Sequence, residues 1–357
     1  MKKHLFGVAA ATALGSTAAF AQVMTIAGIA DTAVRSVSNE GRGSVKSLIS
    51  GGNSTSRLIV RGSEDLGDGL SASFHLEHGI ALDTGAPTSS TQFWDRRSTV
   101  SLASRSLGEI RAGRDFVPSY SNWGRFDPFS YVGVASSSNF VSATPVGPIR
   151  SAFSTSPNTT VRSSNAVQFL LPRGLGGLEG GAMVAAGEGG TAANGQHKVI
   201  GLRLGYGAGP LVVSLASTTS ENNLTTTGKF KDTALGGSYD LSVVRLSAAW
   251  RQFKQASAKQ TNLLLGAIVP VGLGEVKVSW NRVDLSGNVG ATVIDANDAS
   301  QIGLGYVHHL SKRTALYATA ARIGNKGAAA YAIPGGPAGL AGGGSSSGYE
   351  AGLRHTF

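Results

Sequence analysis

The sequence predicts an all-β fold, a sixteen-stranded antiparallel transmembrane β-barrel, and three observations predict it. Apolar and polar residues alternate with period two in about sixteen short segments. The spacers between them include tight turns and long Gly/Ser/Thr-rich loops, as in barrels whose turns face one compartment and whose loops face the other. The first residues carry the marks of export. Composition removes several other classes. With 50 glycines in 357 residues, glycine is about twice as frequent as usual. The charged fraction, 15%, is too low for a solvated disordered chain, and no Gly-X-Y period runs through the sequence. The absence of cysteine excludes a disulfide framework, a thiolate metal site and a cysteine nucleophile. The net charge is +10, but Arg and Lys are scattered nearly singly, so no nucleic-acid partner is expected.

Met1-Lys2-Lys3 gives a positive start, Leu5 to Leu14 a short apolar run, and Ala19-Phe20-Ala21 a small-x-small cleavage site. Residues 1–21 are therefore expected to be a cleaved signal peptide and 22–357 the barrel. Cleavage would remove two of the +10 charges, leaving +8. No other stretch approaches the roughly 18 apolar residues that a transmembrane helix needs.

The expected strands are 23–37, 55–66, 69–80, 93–103, 107–115, 163–171, 177–187, 196–207, 210–220, 229–239, 242–254, 259–269, 272–285, 299–309, 312–323 and 347–357. The clearest is Leu70 to Glu77, with Leu70, Ala72, Phe74 and Leu76 on one face and Ser71, Ser73, His75 and Glu77 on the other. Tight turns fall at Gly67-Asp68, Ser104 to Ser106, Pro172 to Gly176, Ala208-Gly209, Asp240-Leu241, Pro270-Val271 and Leu310-Ser311. Long loops include 38–54, 286–298 and 324–346, and the connection 116–162 is far longer than the rest. In hydrocarbon every backbone polar group must be paired within the protein, so strands cross only as a closed barrel. A soluble β-sandwich also alternates, but its strands would be spaced at about 8–12 residues. The last strand places Tyr349, Ala351, Leu353 and Phe357 on one face, with His355 the polar exception.

These residues carry a resemblance. Ser56-Arg57 with Arg61-Gly62-Ser63-Glu64-Asp65-Leu66-Gly67-Asp68-Gly69-Leu70 through Glu77, then Arg97 with Val100-Ser101-Leu102, then Leu107-Gly108-Glu109-Ile110 with Gly113-Arg114, then Leu310-Ser311-Lys312-Arg313-Thr314 with Leu316-Tyr317, and the Phe357 ending resemble the Gram-negative general porins over essentially the whole mature chain. The resemblance implies a homotrimer, passive diffusion of small hydrophilic solutes and ions across the bacterial outer membrane, and a third extracellular loop folded into the barrel, which 116–162 matches in order and length. It also implies outer-membrane lipid, lipopolysaccharide and the assembly machinery as partners, the last reading Tyr349, Leu353 and Phe357. One departure stands out. Between Asp115 and Leu178 the only acids are Asp115 and Asp127, against Arg125, Arg150, Arg162 and Arg173, which favours anions over cations.

A pore selects at its narrowest ring, by width and charge. Strand parity nominates Arg57, Arg61 and Arg97 as lumen residues. Arg111 and Arg114 cannot both face the lumen, and the family pattern favours Arg114. With Arg162 at the start of the sixth strand these form a basic wall. Asp127 and Asp115 on the inward loop are expected to face it, with Arg125 nearby. Arg203, Arg245, Lys277 and Arg354 are further lumen cations by parity. A charge facing lipid at mid-depth would cost about 2–4 kcal/mol, which supports the lumen placement. No enzymatic chemistry, metal or cofactor is expected. His75 and His78, three apart on a strand, point to opposite faces, and no Gly-x-Ser-x-Gly elbow occurs. The alternative is a plugged barrel acting through its loops in binding or adhesion.

Overall fold

The computed structural model describes residues 23–141, 146–154 and 160–357. The expected leader, 1–21, lies outside them. Sixteen strands close into one antiparallel barrel: β1 (Val23–Asn39), β2 (in two pieces, Gly43–Ser50 and Arg57–Gly67), β3 (Leu70–Ala81), β4 (Arg97–Ser104), β5 (Gly108–Phe116), β6 (Arg162–Leu170), β7 (Leu178–Ala185), β8 (Lys198–Ala208), β9 (Leu211–Glu221), β10 (Phe230–Asp240), β11 (Arg245–Gln255), β12 (Ala258–Val271), β13 (Gly274–Ser286), β14 (Ala299–His309), β15 (Thr314–Asn325) and β16 (Ser345–Thr356). Each strand pairs with its neighbour in sequence, and β16 returns to β1 over Ile29↔Thr356 to Asn39↔Ser346, so no edge is left. At the seam the backbone of Gly28 and Phe357 exchange N–H···O bonds of 3.0 and 3.1 Å. Phe357, Leu353 and Tyr349 are all exposed beside it.

The apolar faces point outward. Leu202, Leu204, Leu215, Leu235, Ile302 and Leu304 are large, apolar and exposed, as lipid-facing residues of a barrel must be. The buried apolar residues sit inside instead, where loops fold into the lumen. One cluster joins Phe129, Val134 and Phe140 of the third loop to Tyr331 and Ile333 of the last loop and to Val37, Val283 and Ile323 of the wall.

One connection differs from expectation. Residues 38–54 are not one long loop: β1 runs to Asn39, and Gly43–Ser50 pairs back on it over Thr32↔Ser50 to Asn39↔Gly43. What remains is a mid-strand excursion, 51–56, after which Arg57 resumes pairing at Ile29. Asp31 makes the detour possible. Its buried carboxylate accepts from the backbone N–H groups of Gly52, Asn53 and Ser54 at 3.1, 3.1 and 2.7 Å, donors that the ladder no longer satisfies. The connection between β11 and β12, on the side of the long loops, is only the turn Ala256–Ser257.

The long connection forms α1 (Pro118–Gly124), a 3₁₀ turn (Ser137–Phe140) and α2 (Pro148–Phe153), and it folds inward against the wall of β8 to β14. Small wall residues allow this approach. A Cβ on Gly236 would lie 2.2 Å from the Phe126 ring, and one on Gly266 would lie 2.4 Å from Pro128. Gly236→Val is therefore expected to push the loop off the wall. Overpacking of this kind costs about 1–3 kcal/mol, read as a lower midpoint for heat-induced loss of the folded barrel on gels and an altered single-channel conductance.

Candidate functional site

The inward loop leans on one side of the lumen through many ties. Ser119 of α1 donates from N–H to Thr218 Oγ1 at 3.2 Å and from its hydroxyl to Asp232 at 2.6 Å. Asn122 Nδ2 donates to the Ala234 carbonyl at 3.0 Å. Gln301 Nε2 donates to the carbonyls of Ala135 and Ser136 at 2.9 and 3.1 Å, and Gln260 Nε2 to that of Phe140 at 2.7 Å. On β16, Glu350 accepts from Val134 N–H at 3.0 Å. The opposite wall, β2 to β6, is left facing the passage.

That wall carries a guanidinium cluster. Register places Arg57 (opposite Ile29), Arg61 (opposite Thr25 and His75), Arg97 (opposite Glu77) and Arg111 (opposite Ser101) on the lumen face. Glu77 sits among them, 2.5 Å from Arg96 Nε, 3.4 Å from Arg57 Nη1 and 3.4 Å from His75 Nε2. Asp115 lies 2.8 Å from Arg111 Nη1 and 3.4 Å from Arg97 Nη2, and Arg111 also reaches Glu109 at 2.8 Å. Arg162, opening β6, donates to the Arg96 carbonyl at 2.7 Å and lies 4.5 Å above the Phe116 ring. Arg57, Arg97 and Arg162 are thus linked through Arg96, Glu77, His75 and their backbone. A cavity of about 210 Å³ opens between Arg97, Arg111, Asp115, Phe116 and Arg203.

Other expected site residues lie elsewhere. Arg114 stands opposite Ser98, on the outward face of Val100, and bonds the Asp95 carbonyl at 2.7 Å and Ser164 Oγ at 3.0 Å. Alternation along β5 puts Arg111, Gly113 and Asp115 on the lumen face, so Arg111 is the inward arginine of β5; the register shift beside them places its extra residue on β6. Asp127 does not face the wall. It is 4% exposed and staples its own loop, accepting from Ser137 Oγ (2.5 Å) and from the N–H groups of Phe129 (2.9 Å), Tyr131 (3.1 Å) and Ser137 (3.1 Å). Burial raises its carboxyl pKa above the ordinary value, against the pull of those donors. Asp115 belongs to the arginine wall itself. Arg125 reaches Glu179 on β7, which also holds Arg203 at 3.0 Å, so it lies apart from Arg57 and Arg162.

Glu77, Arg96 and His75 are not among the pore residues expected from the sequence. The hairpin at Gly67-Asp68-Gly69 carries the signal. Counting back from it puts Ile59 opposite Glu77 and Arg61 opposite His75, on the polar face already visible in Leu70 to Glu77.

A barrel with an inward third loop and a basic wall is what the family comparison decides. The model of the family described as Gram-negative porin matches residues 7–328. The chain belongs to the Gram-negative porins. It is 36% identical over 370 residues to outer membrane porin protein 32 of Delftia acidovorans, covering all of both chains. To an outer membrane porin protein of Bordetella pertussis it is 28% identical, over 76% of this chain and 77% of that one. Among solved structures, the anion-selective porin from Comamonas acidovorans superposes with a TM-score of 0.81 at 35% identity, covering 94% of this chain and 100% of that one. The fold also matches OmpF of Salmonella typhi, with a TM-score of 0.61 at 14% identity, over 94% and 97% of the two chains. The protein is therefore an outer-membrane channel protein, and the wall of β2 to β6 lines the lumen of a porin.

Proposed function

We propose that this porin is a homotrimeric, water-filled diffusion channel for small hydrophilic solutes that prefers anions, with Arg57, Arg97 and Arg162 at its constriction. The observation that carries the reading is a charge count. Within the one contact network of that wall, which Arg61 does not join, Arg57, Arg96, Arg97, Arg111 and Arg162 stand against Glu77, Glu109 and Asp115, a surplus of two positive charges. The facing loop supplies only Asp127 as an acid among its described residues, and that carboxylate is occupied. A passing ion keeps part of its water in such a pore and feels the field of the wall. The anion selectivity named for the Comamonas acidovorans porin supports the same reading, and the trimer form described for OmpT, an outer membrane protein of Vibrio cholerae with this fold, is consistent with the homotrimer. The outward Tyr349, Leu353 and Phe357 at the closing seam suit a segment read by the assembly machinery, and cleavage after Ala21 yields the mature barrel.

The test is the zero-current potential of the purified protein in a planar bilayer under a KCl gradient. An anion-directed potential is the expected result. A cation-directed potential would overturn the selectivity, and absence of conductance would favour the plugged barrel. Glu77→Gln should sharpen the preference, because it raises the surplus from two charges to three. A unit charge at about 4 Å in water is worth about 1 kcal/mol, so the chloride-to-potassium permeability ratio should rise roughly fivefold. An unchanged ratio would mean that Glu77 does not set the field.

A further inference from the structure

A further cavity, of about 300 Å³, lies beneath the inward loop, on the wall away from the arginine cluster. Its roof is the bend 125–128 of that loop. Its floor is formed where β9 to β12 approach the short turns, on the side of the barrel that holds the chain termini. Strand parity puts Ser238 and Asp240 of β10, Arg245 and Ser247 of β11 and Ile268 of β12 on the lumen face, in step with Gly236, Arg251 and Gly266, which meet the loop. The cavity has two unlike sides. Pro128, Val212 and Ile268 make one of them apolar, whereas Arg125, Arg245 and Ser238 make the other basic and polar. In the closed order of strands, Arg245 on β11 stands across the barrel from β2 to β6.

The charges around this cavity are not balanced. Arg245 is exposed to it and, among the described residues, forms no ion pair and no side-chain hydrogen bond. Asp240 lies directly opposite Arg245 in register, but its Oδ1 accepts from the N–H of Ser242 at 2.8 Å and closes the turn there. Arg125 shares Glu179 with Arg203, so two guanidinium groups divide one carboxylate. Arg125, Arg203 and Arg245 thus stand against Glu179 and Asp240, a surplus of one positive charge. The Ser247 hydroxyl is spent on the Phe126 carbonyl at 2.8 Å. That bond pins the roof to the wall and leaves Ser238 as the hydroxyl open to a ligand.

We propose that this cavity binds a small monocarboxylate with an apolar body, of the aryl or branched-chain class. The carboxylate lies against Arg245 and within the field of Arg125, and the apolar body lies against Pro128, Val212 and Ile268. A guanidinium pairs a carboxylate through two parallel N–H···O bonds, and the donors of Arg245 are available for them. The apolar side rewards a solute whose body sheds water on binding. About 150 Å³ of cavity holds a benzene ring, so a ring with its carboxylate fits in about 300 Å³. Acetate or chloride uses only the charged half of the site. A dicarboxylate brings its second charge onto the apolar side or toward Asp240, and both placements are unfavourable. The inference deepens the channel reading, on which it rests for access of the solute, by selecting among the anions that pass the arginine wall.

Saturation-transfer NMR of benzoate with the purified protein in lipid nanodiscs, blanked against protein-free discs, tests it. Saturable binding of benzoate is expected, and neither acetate nor benzyl alcohol should compete at the same concentration. One unit charge beside the carboxylate should move the dissociation constant roughly fivefold. Arg245→Gln should therefore weaken benzoate by about that factor. Asp240→Asn keeps the acceptor for Ser242 and should tighten benzoate by about the same factor. Ile268→Thr, which shrinks the apolar side, should weaken it roughly fourfold. Competition by acetate or benzyl alcohol as strong as by benzoate itself, or unchanged affinity in Arg245→Gln, overturns the proposal. Bilayer conductance of the same samples keeps the two readings separate. Benzoate binding by a protein that does not conduct contradicts the channel alone, and conductance without benzoate binding contradicts this site alone. Should Arg245→Gln not assemble, Asp240→Asn decides the matter, since unchanged affinity there overturns the proposal as well.

Discussion

Neutralising Arg57, Arg97 and Arg162 together should reverse the sign of the zero-current potential. The wall has five arginines within one contact network of three carboxylates. Removing three charges turns a surplus of two positive into a deficit of one. With about 1 kcal/mol per unit charge at close range, partly screened by salt, the chloride-to-potassium ratio should fall about tenfold or more. Glutamine is the better replacement, because it keeps polar bulk in the lumen and does not widen the ring. The effect should be largest at low ionic strength, where the Debye length exceeds the width of the lumen, and should shrink toward 1 M salt, where it is about 3 Å. A reversal potential that stays anion-directed in the triple variant would move the filter elsewhere, to Arg61, Arg111 and Arg203. The Glu77→Gln and triple-arginine variants change the wall charge in opposite directions. If charge count rather than shape governs selectivity, their potentials must fall on opposite sides of the parent.

The strands were legible because each is set by a local rule. In Leu70 to Glu77 the alternation of residues reveals both faces, and Gly67, Asp68 and Gly69 all take positive φ at the turn that the sequence marks there. The lumen positions of Arg57, Arg61 and Arg97 follow from parity counted along such strands. Legibility failed where a nonlocal contact decides. Gly43–Ser50 reads as loop because the excursion at 51–56 interrupts its strand, and that excursion depends on Asp31, across the ladder on β1. Parity separates Arg111 from Arg114, the resemblance favours Arg114, and only the pairing of Arg114 opposite Ser98, out of step with Arg97, turns it away from the lumen. Asp127 reads as a free pore carboxylate because nothing in Arg125-Phe126-Asp127-Pro128 announces that Ser137, ten residues on, turns back to donate to it. Charge type and strand face were therefore readable from sequence, whereas the partner of each charge was not.

The largest structural effect is expected from Arg251, which ties both ends of the inward loop to the wall. Its guanidinium donates to both carboxylate oxygens of Asp232 at 2.9 and 2.7 Å and to the Thr160 carbonyl near the loop's end at 3.1 Å, while Asp232 accepts from Ser119 near its beginning at 2.6 Å. Arg251 is fully buried, 4.6 Å over the Phe253 ring. Arg251→Met keeps the apolar stem but leaves Asp232 charged and buried without its partner, a change that typically costs about 3–5 kcal/mol. The midpoint for heat-induced loss of the barrel should fall, and single-channel traces should become noisier as the loop leaves the wall. The double variant Arg251→Met/Asp232→Leu separates the two consequences. Replacing both charges by apolar residues removes the orphaned carboxylate, so thermal stability should return close to that of the parent. The ties to Ser119 and Thr160 remain lost, so the noise should persist. If the double variant instead restores quiet channels along with stability, the loop is held by its glycine-backed packing against Gly236 and Gly266, and the ion pair serves only the barrel wall.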